Sequence, residues 1–137
     1  MKQWMKVNRV LFAAVLAITI LLSSQSVSAA PGDLIISEYG EGNEGNQYIE
    51  LYNGTGDTVD LSIYEIWVAP DGEDWPGEQI ELDGTIDNGV AMIVHGSDVA
   101  EAILEAEFTL EVRGMEFDGN DAIGLAKEGT LVDVVGE

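Results

Sequence analysis

The chain has 137 residues, no cysteine and one histidine, with 26 acidic side chains against 5 basic ones for a formal charge of −21. The missing cysteines exclude disulfide staples and a lipid-modified cysteine anchor, and one histidine is too few for a zinc site. So acidic a chain is also a poor phosphate binder, because nucleic-acid affinity rests on basic residues.

The first segment is basic, then apolar, then small and polar. Lys2, Lys6 and Arg9 precede a run from Val10 to Leu22 that is apolar but for Thr19, and Val27-Ser28-Ala29 follows as a small-residue cleavage site. These are the parts of a secretory signal peptide in order, so a signal helix over 1–29, cut after Ala29, and a secreted domain over 30–137 are expected. Thirteen helical residues rise roughly 20 Å, short of a hydrocarbon core about 30 Å thick, so no stable membrane span is expected after cleavage. Removing 1–29 takes away three basic residues, leaving Arg113 and Lys127 against all 26 acids. The acids are spread along the chain. That spread favours a surface adapted to high ionic strength over dedicated cation binding.

The remainder reads as short strands between turns. Asp33–Tyr39 and Gln47–Asn53 flank the loop GEGNEGN, and NGTGD is a strong turn signal. Thr58–Leu61, Tyr64–Val68, Gln79–Leu82 and Val90–Val94 continue the pattern around the breaker PDGEDWPG. Ser97–Glu107 is the one helix-like stretch, capped by Ser97 or Asp98, with Val99, Ile103 and Ala106 on one face. A short helical crossover on a sheet edge is its expected role. Ala122–Ala126 and Thr130–Val135 close the set around Lys127-Glu128-Gly129. The expected class is all-β, an antiparallel sandwich.

LIISEYGEGNEGNQYIELYN, TVDLS, GVAMIV and FDGNDAIGLAKEGTLVDVVG occur in that order over nearly all of residues 33–136. Together they resemble the lamin-tail domain in its bacterial, secreted form. The resemblance implies an immunoglobulin-like β-sandwich that acts in interaction or targeting without catalysis. It also implies a setting beside extracellular nucleases or other hydrolases, with a protein, cell-surface or extracellular-matrix component as partner. Two departures stand out. Ile63 follows Asp60-Leu61-Ser62 where the family usually has glycine, and relatives continue past Val-Val-Gly into a further strand. The chain is therefore expected to be truncated or a fragment, with a downstream hydrolase domain as the alternative context.

Four groups of residues carry candidate chemistry. His95, beside Gly96 at a strand end, reads as an exposed turn residue. Glu41, Asn43, Glu44 and Asn46 in one loop, and Asp118, Asn120 and Asp121 in another, offer the oxygen chemistry calcium takes; tight turns use the same residue types. A calcium-stabilised surface protein is thus an alternative, though no cofactor is required. Glu38 and Glu50 lie on expected strands, Glu50 on the same face as Tyr48. A carboxylate pair suits acid–base work, and equally a solvent-facing row. Trp67 is expected in the core, and Trp75, beside Pro76, as the surface ring suited to stacking on a sugar or a protein.

Overall fold

The computed structural model describes residues 32–42 and 45–136. The expected signal segment, including its cleavage site, lies outside the described residues. No helix among the described residues is long and apolar enough to cross a membrane.

Ten strands follow one another along the chain. They are β1 (Ile35–Glu41), β2 (Gln47–Tyr52), β3 (Val59–Asp60), β4 (Tyr64–Ala69), β5 (Glu78–Glu81), β6 (Thr85–Ile86), β7 (Ala91–His95), β8 (Thr109–Glu111), β9 (Ala122–Lys127) and β10 (Thr130–Val135). One sheet has the order β1-β2-β7-β8, the other β10-β9-β4-β5, and β3 pairs with β6 as a small ribbon. This is the immunoglobulin-like sandwich. Every pair is antiparallel except β7 with β8, which are parallel.

The parallel pair explains the helix-like stretch. Parallel neighbours need a crossover rather than a hairpin, and residues 96–108 provide it. The helix itself is shorter than expected: α1 spans Glu101–Leu104 and starts at Ala100, with no side-chain cap. One turn with mostly exposed residues has little packing to extend it.

Alternation sets the core. Ile49 and Leu51 of β2, Val94 of β7, Ile66 and Val68 of β4, and Ile123 and Leu125 of β9 point between the sheets and are buried. Each such side chain contributes roughly 1.5–3 kcal/mol on leaving water. Trp67 is buried as well, but it lies between Ile66 and Val68 in sequence and so faces the outer side of its sheet. It is covered there and buried, as the apolar context of its strand led one to expect.

His95 departs from expectation. It is buried at 3% exposure, pairs with Tyr48 across β2 and β7, and donates from Nδ1 to the Gly96 carbonyl at 2.7 Å. The chain beyond β8 returns over this strand end: Val112 N–H donates to the His95 carbonyl at 2.9 Å, and Val112, Met115 and Phe117 are buried. Nothing local in His95-Gly96 announces that cover.

The NGTGD turn is built on a buried asparagine. Asn53 Nδ2 donates to the carbonyls of Asp57 and Ile86, both at 2.8 Å. Its Oδ1 accepts from Thr55 N–H at 3.0 Å and from the Thr55 hydroxyl at 2.7 Å. The side chain thereby ties the end of β2 to β6 with all its polar capacity used. At the Ile63 departure the chain forms a 3-10 turn, Leu61–Ile63, whose amide at Ser62 donates to the Asp60 carboxylate at 2.9 Å. Ile63 itself is exposed.

Candidate functional site

Glu38 and Glu50 stand directly opposite each other on β1 and β2, beside a register shift between Ile36 and Glu38. Tyr48 and Glu50 alternate with the buried Ile49 and Leu51, so both face outward. Each carboxylate has a hydroxyl partner. Tyr48 donates to Glu38 Oε1 at 2.5 Å, and Ser37 Oγ donates to Glu50 Oε1 at 2.6 Å. The hydrogen bond to Glu38 raises the Tyr48 pKa, reinforced by burial and by the charges of Glu38 and Glu50. The pair is thus a hydroxyl-linked row on the outer face of a sheet, where two like charges sit across a strand pair at some cost.

The two loops with calcium-like chemistry come together at one end of the sandwich. Asn43 and Glu44 lie outside the described residues. Glu41 Oε2 accepts from the Tyr39 hydroxyl at 3.1 Å and approaches Gly119 closely enough that an added Cβ there would sit 3.3 Å away. Burial, the bond to Glu41, and the charges of Glu41, Asp121 and Asp118 push Tyr39 up to about 12. Its ring packs on Phe117 with centroids 5.1 Å apart.

Most oxygens of this cluster already serve turns. Asp121 accepts from the amides of Asp118 at 2.9 Å and Asp71 at 3.0 Å. Asp118 Oδ1 accepts from Asn120 N–H at 3.3 Å, and Asn120 donates from Nδ2 to Asp71. Asn46 Oδ1 accepts from Ala100 N–H at 2.5 Å, holding the crossover. Among the described residues no group of three or more histidine, cysteine or acidic side chains is arranged to hold a metal ion.

Trp75 is half-buried. Its ring lies over Gly124 on the outer face of β9, where an added Cβ would meet the Leu131 side chain at 2.4 Å and Trp75 at 3.2 Å. The missing side chain at Gly124 makes room for the ring. Gly77 turns the same loop back at φ 58°, against the Val68 carbonyl, which an added Cβ would approach to 2.1 Å. One face of Trp75 is therefore spent on packing.

Sequence reasoning missed two seams between the sheets. On one side, the edge strands β1 and β10 are joined: Asp133 Oδ2 accepts from Ile36 N–H at 2.8 Å, while Oδ1 accepts from Val134 N–H at 3.0 Å. Asp33, just before β1, extends this seam. It accepts from the buried Tyr64 hydroxyl and pairs with Lys127 Nζ at 3.1 Å; Lys127 also lies 5.3 Å from the Tyr64 ring centre. Burial works against the charge on Asp33, but bonds from Tyr64, Lys127 and Leu34 N–H outweigh it and hold its pKa low. Burial and the bond to Asp33 raise Tyr64, and the bonds to Asp33 and Tyr64 raise Lys127.

On the opposite side β5 and β8 end their sheets without pairing to each other. A cleft of about 650 Å³ opens there, lined by Glu65, Ile80, Glu81, Leu110, Glu111 and Val112 among others. Glu65 and Glu81 are cross-strand partners, so a second like-charge pair borders this cleft. The signal was present in the sequence as acids alternating with Ile80 and Leu110, but only the topology brings β5 and β8 to one edge.

No curated protein matches this chain. The Lamin Tail Domain family does, over residues 27–137, and with the eight long and short strands of the two sheets in place the chain belongs to that family.

Proposed function

We propose that this chain is an exported, non-catalytic interaction module that binds a protein or surface component outside the cytoplasm. The observation that carries the reading is the use of its carboxylates. Glu38 and Glu50 are tied to hydroxyls on an outward sheet face, and Asp121 and Asp118 accept from turn amides. A general acid and base need access to a shared substrate proton and separated proton affinities; these groups instead hold backbone and hydroxyl groups in place. The basic–apolar–small order of residues 1–29 supports export.

Two measurements test the reading. Expression of the full chain in a bacterial host, followed by N-terminal sequencing of the extracytoplasmic product, is expected to give a chain starting at Ala30. A product that stays in the cytoplasm with Met1 or Lys2 at its start would overturn export. The purified protein is expected to leave phosphodiester, ester and glycoside substrates uncleaved. Hydrolysis that disappears in E38Q or E50Q would make it an enzyme.

A further inference from the structure

The cleft between β5 and β8 has a backbone edge to offer. In an antiparallel pair, residues alternate between those that exchange hydrogen bonds with the partner strand and those whose amides point away. Leu82 N–H donates to the Tyr64 carbonyl at 3.2 Å. With Glu65 opposite Glu81 and Ile66 opposite Ile80, the alternation places the peptide groups of Ile80 toward β4 and those of Gln79 and Glu81 toward the open edge. Ile80 is buried on the inner side, while Gln79 and Glu81 are exposed on the outer side.

An unpaired edge attracts other strands, and charged residues on a short strand are an ordinary defence against that. Here the defence has one sign. Glu65, Glu81, Asp83 and Glu111 border the cleft, with Arg113 as its lone cation and no carboxylate within ion-pair distance of that guanidinium among the described residues. A second copy of this acidic chain would bring more carboxylates to carboxylates. A basic strand would relieve the Glu65–Glu81 repulsion instead.

We propose that the free edge of β5 takes up an extended segment of a basic partner protein as an added strand. Four residues would pair along Glu78–Glu81, accepting from and donating to the outward peptide groups of Gln79 and Glu81. The segment's residues would alternate: lysine or arginine on the outer face beside Glu81, and apolar side chains inward over Ile80, Leu110 and Val112. This is recognition by strand addition, in which main-chain bonds supply affinity and alternate side chains supply specificity. The proposal rests on reading the domain as an interaction module and names the chemistry of its partner.

The test uses the purified full-length chain and three acetylated, amidated nine-residue peptides. One alternates lysine and valine, one has the same composition with the lysines clustered, and one alternates glutamate and valine. Binding is followed by fluorescence anisotropy at about 0.15 M salt, where long-range attraction is largely screened. The alternating basic peptide is expected to bind about tenfold tighter than the clustered one, and the acidic peptide not at all. Q79P removes an outward amide without touching a bond to β4 and is expected to weaken binding about tenfold, on the scale of a lost hydrogen-bonded register. R113Q is expected to strengthen it. Should Q79P lower the melting temperature, amide exchange of the unaltered chain gives the same answer: Gln79 and Glu81 are expected to become protected on binding. Equal affinity for the alternating and clustered peptides, or protection elsewhere than at β5, would overturn strand addition. Failure of all three peptides to bind would overturn this edge as the site, and the export and hydrolysis measurements would still decide the broader reading.

Discussion

The two seams of the sandwich use the same residue types to opposite ends. At the β1/β10 seam, Asp33 and Asp133 point at donors: a phenol, an ammonium and backbone amides. At the β5/β8 seam, Glu65 has one donor, the Trp67 indole N–H at 2.6 Å, and stands opposite Glu81 across a strand pair, with Glu111 bordering the same cleft. An acid is thus stabilising or costly according to what its oxygens meet. In a chain with so few basic residues, most of the useful donors are amides and hydroxyls. Lys127 is spent on the closed seam, and Arg113 at the open one has no ion-pair partner among the described residues.

The largest test of this contrast is D33A. It leaves the Tyr64 hydroxyl, in a residue 1% exposed, without its acceptor and Lys127 without its partner. A lost buried acceptor costs about 1–3 kcal/mol. The ion pair is about one-third exposed on the lysine side, so its share is discounted for solvent screening. The expected loss in urea denaturation is about 2 kcal/mol. Y64F tests the same link from the other side: it removes the donor, leaves no buried group unpaired, and is expected to cost less than D33A.

D133A comes next. It frees the amides of Ile36 and Val134 at once, and is expected to cost about 1–1.5 kcal/mol because both groups can partly recover water. It also removes the inward charge that closes the β10 edge, where Val132 and Val134 are exposed. Sedimentation at rising protein concentration is therefore expected to show more self-association than in the unaltered chain. An unchanged sedimentation profile would mean that something other than Asp133 protects this edge.

The closed seam should also be visible in pH. Asp33 has a lowered folded pKa, so its contribution is present above the ordinary carboxylate value of about 3.9 and is lost as pH falls through the lower folded value. Tyr64 and Lys127 have raised folded values, so their contributions are present below about 10 and are lost as pH rises beyond that. The difference in stability between the unaltered chain and D33N is expected to be constant from about pH 5 to 9. It should shrink at both extremes. A difference that grew in acid would place Asp33 in the wrong charge state.

How far the sequence foretold these seams differs between them. The long strands were legible because alternation is local: Gln47–Tyr52, Tyr64–Ala69, Ala122–Lys127 and Thr130–Val135 all lie close to their expected positions. The two-residue β6 and the three-residue β8 were not, since neither is long enough to show a period. Asp33 and Asp133 were unremarkable in the sequence because their partners lie as many as 94 and 97 residues away. His95 was misplaced for a related reason. A residue's neighbours in sequence do not say which other segment covers it. The polar side chains of the 118–121 turn were readable as chemistry, but their engagement with Asp71, whose amide donates to Asp121 and whose carboxylate accepts from Asn120, was not.

The smallest expected effect has the opposite sign and is the sharpest form of the contrast. E81Q removes one of two like charges facing across β4 and β5 and leaves the backbone edge intact. Cross-strand like charges destabilise by a few tenths of a kcal/mol, so E81Q is expected to raise the urea midpoint slightly at low salt, and the gain should fade as salt screens the pair. The same exchange at Asp133, a carboxylate-to-amide change of equal size, is expected to lower the midpoint, because that carboxylate accepts from two backbone amides and a neutral amide group can present only one oxygen to them. If both substitutions moved the midpoint in one direction, net charge alone would govern stability and the distinction between a closed and an open seam would lose its energetic basis. Opposite signs would leave the open seam as a place where the domain keeps acids at a cost to its own stability, which is what a surface shaped for a basic strand requires.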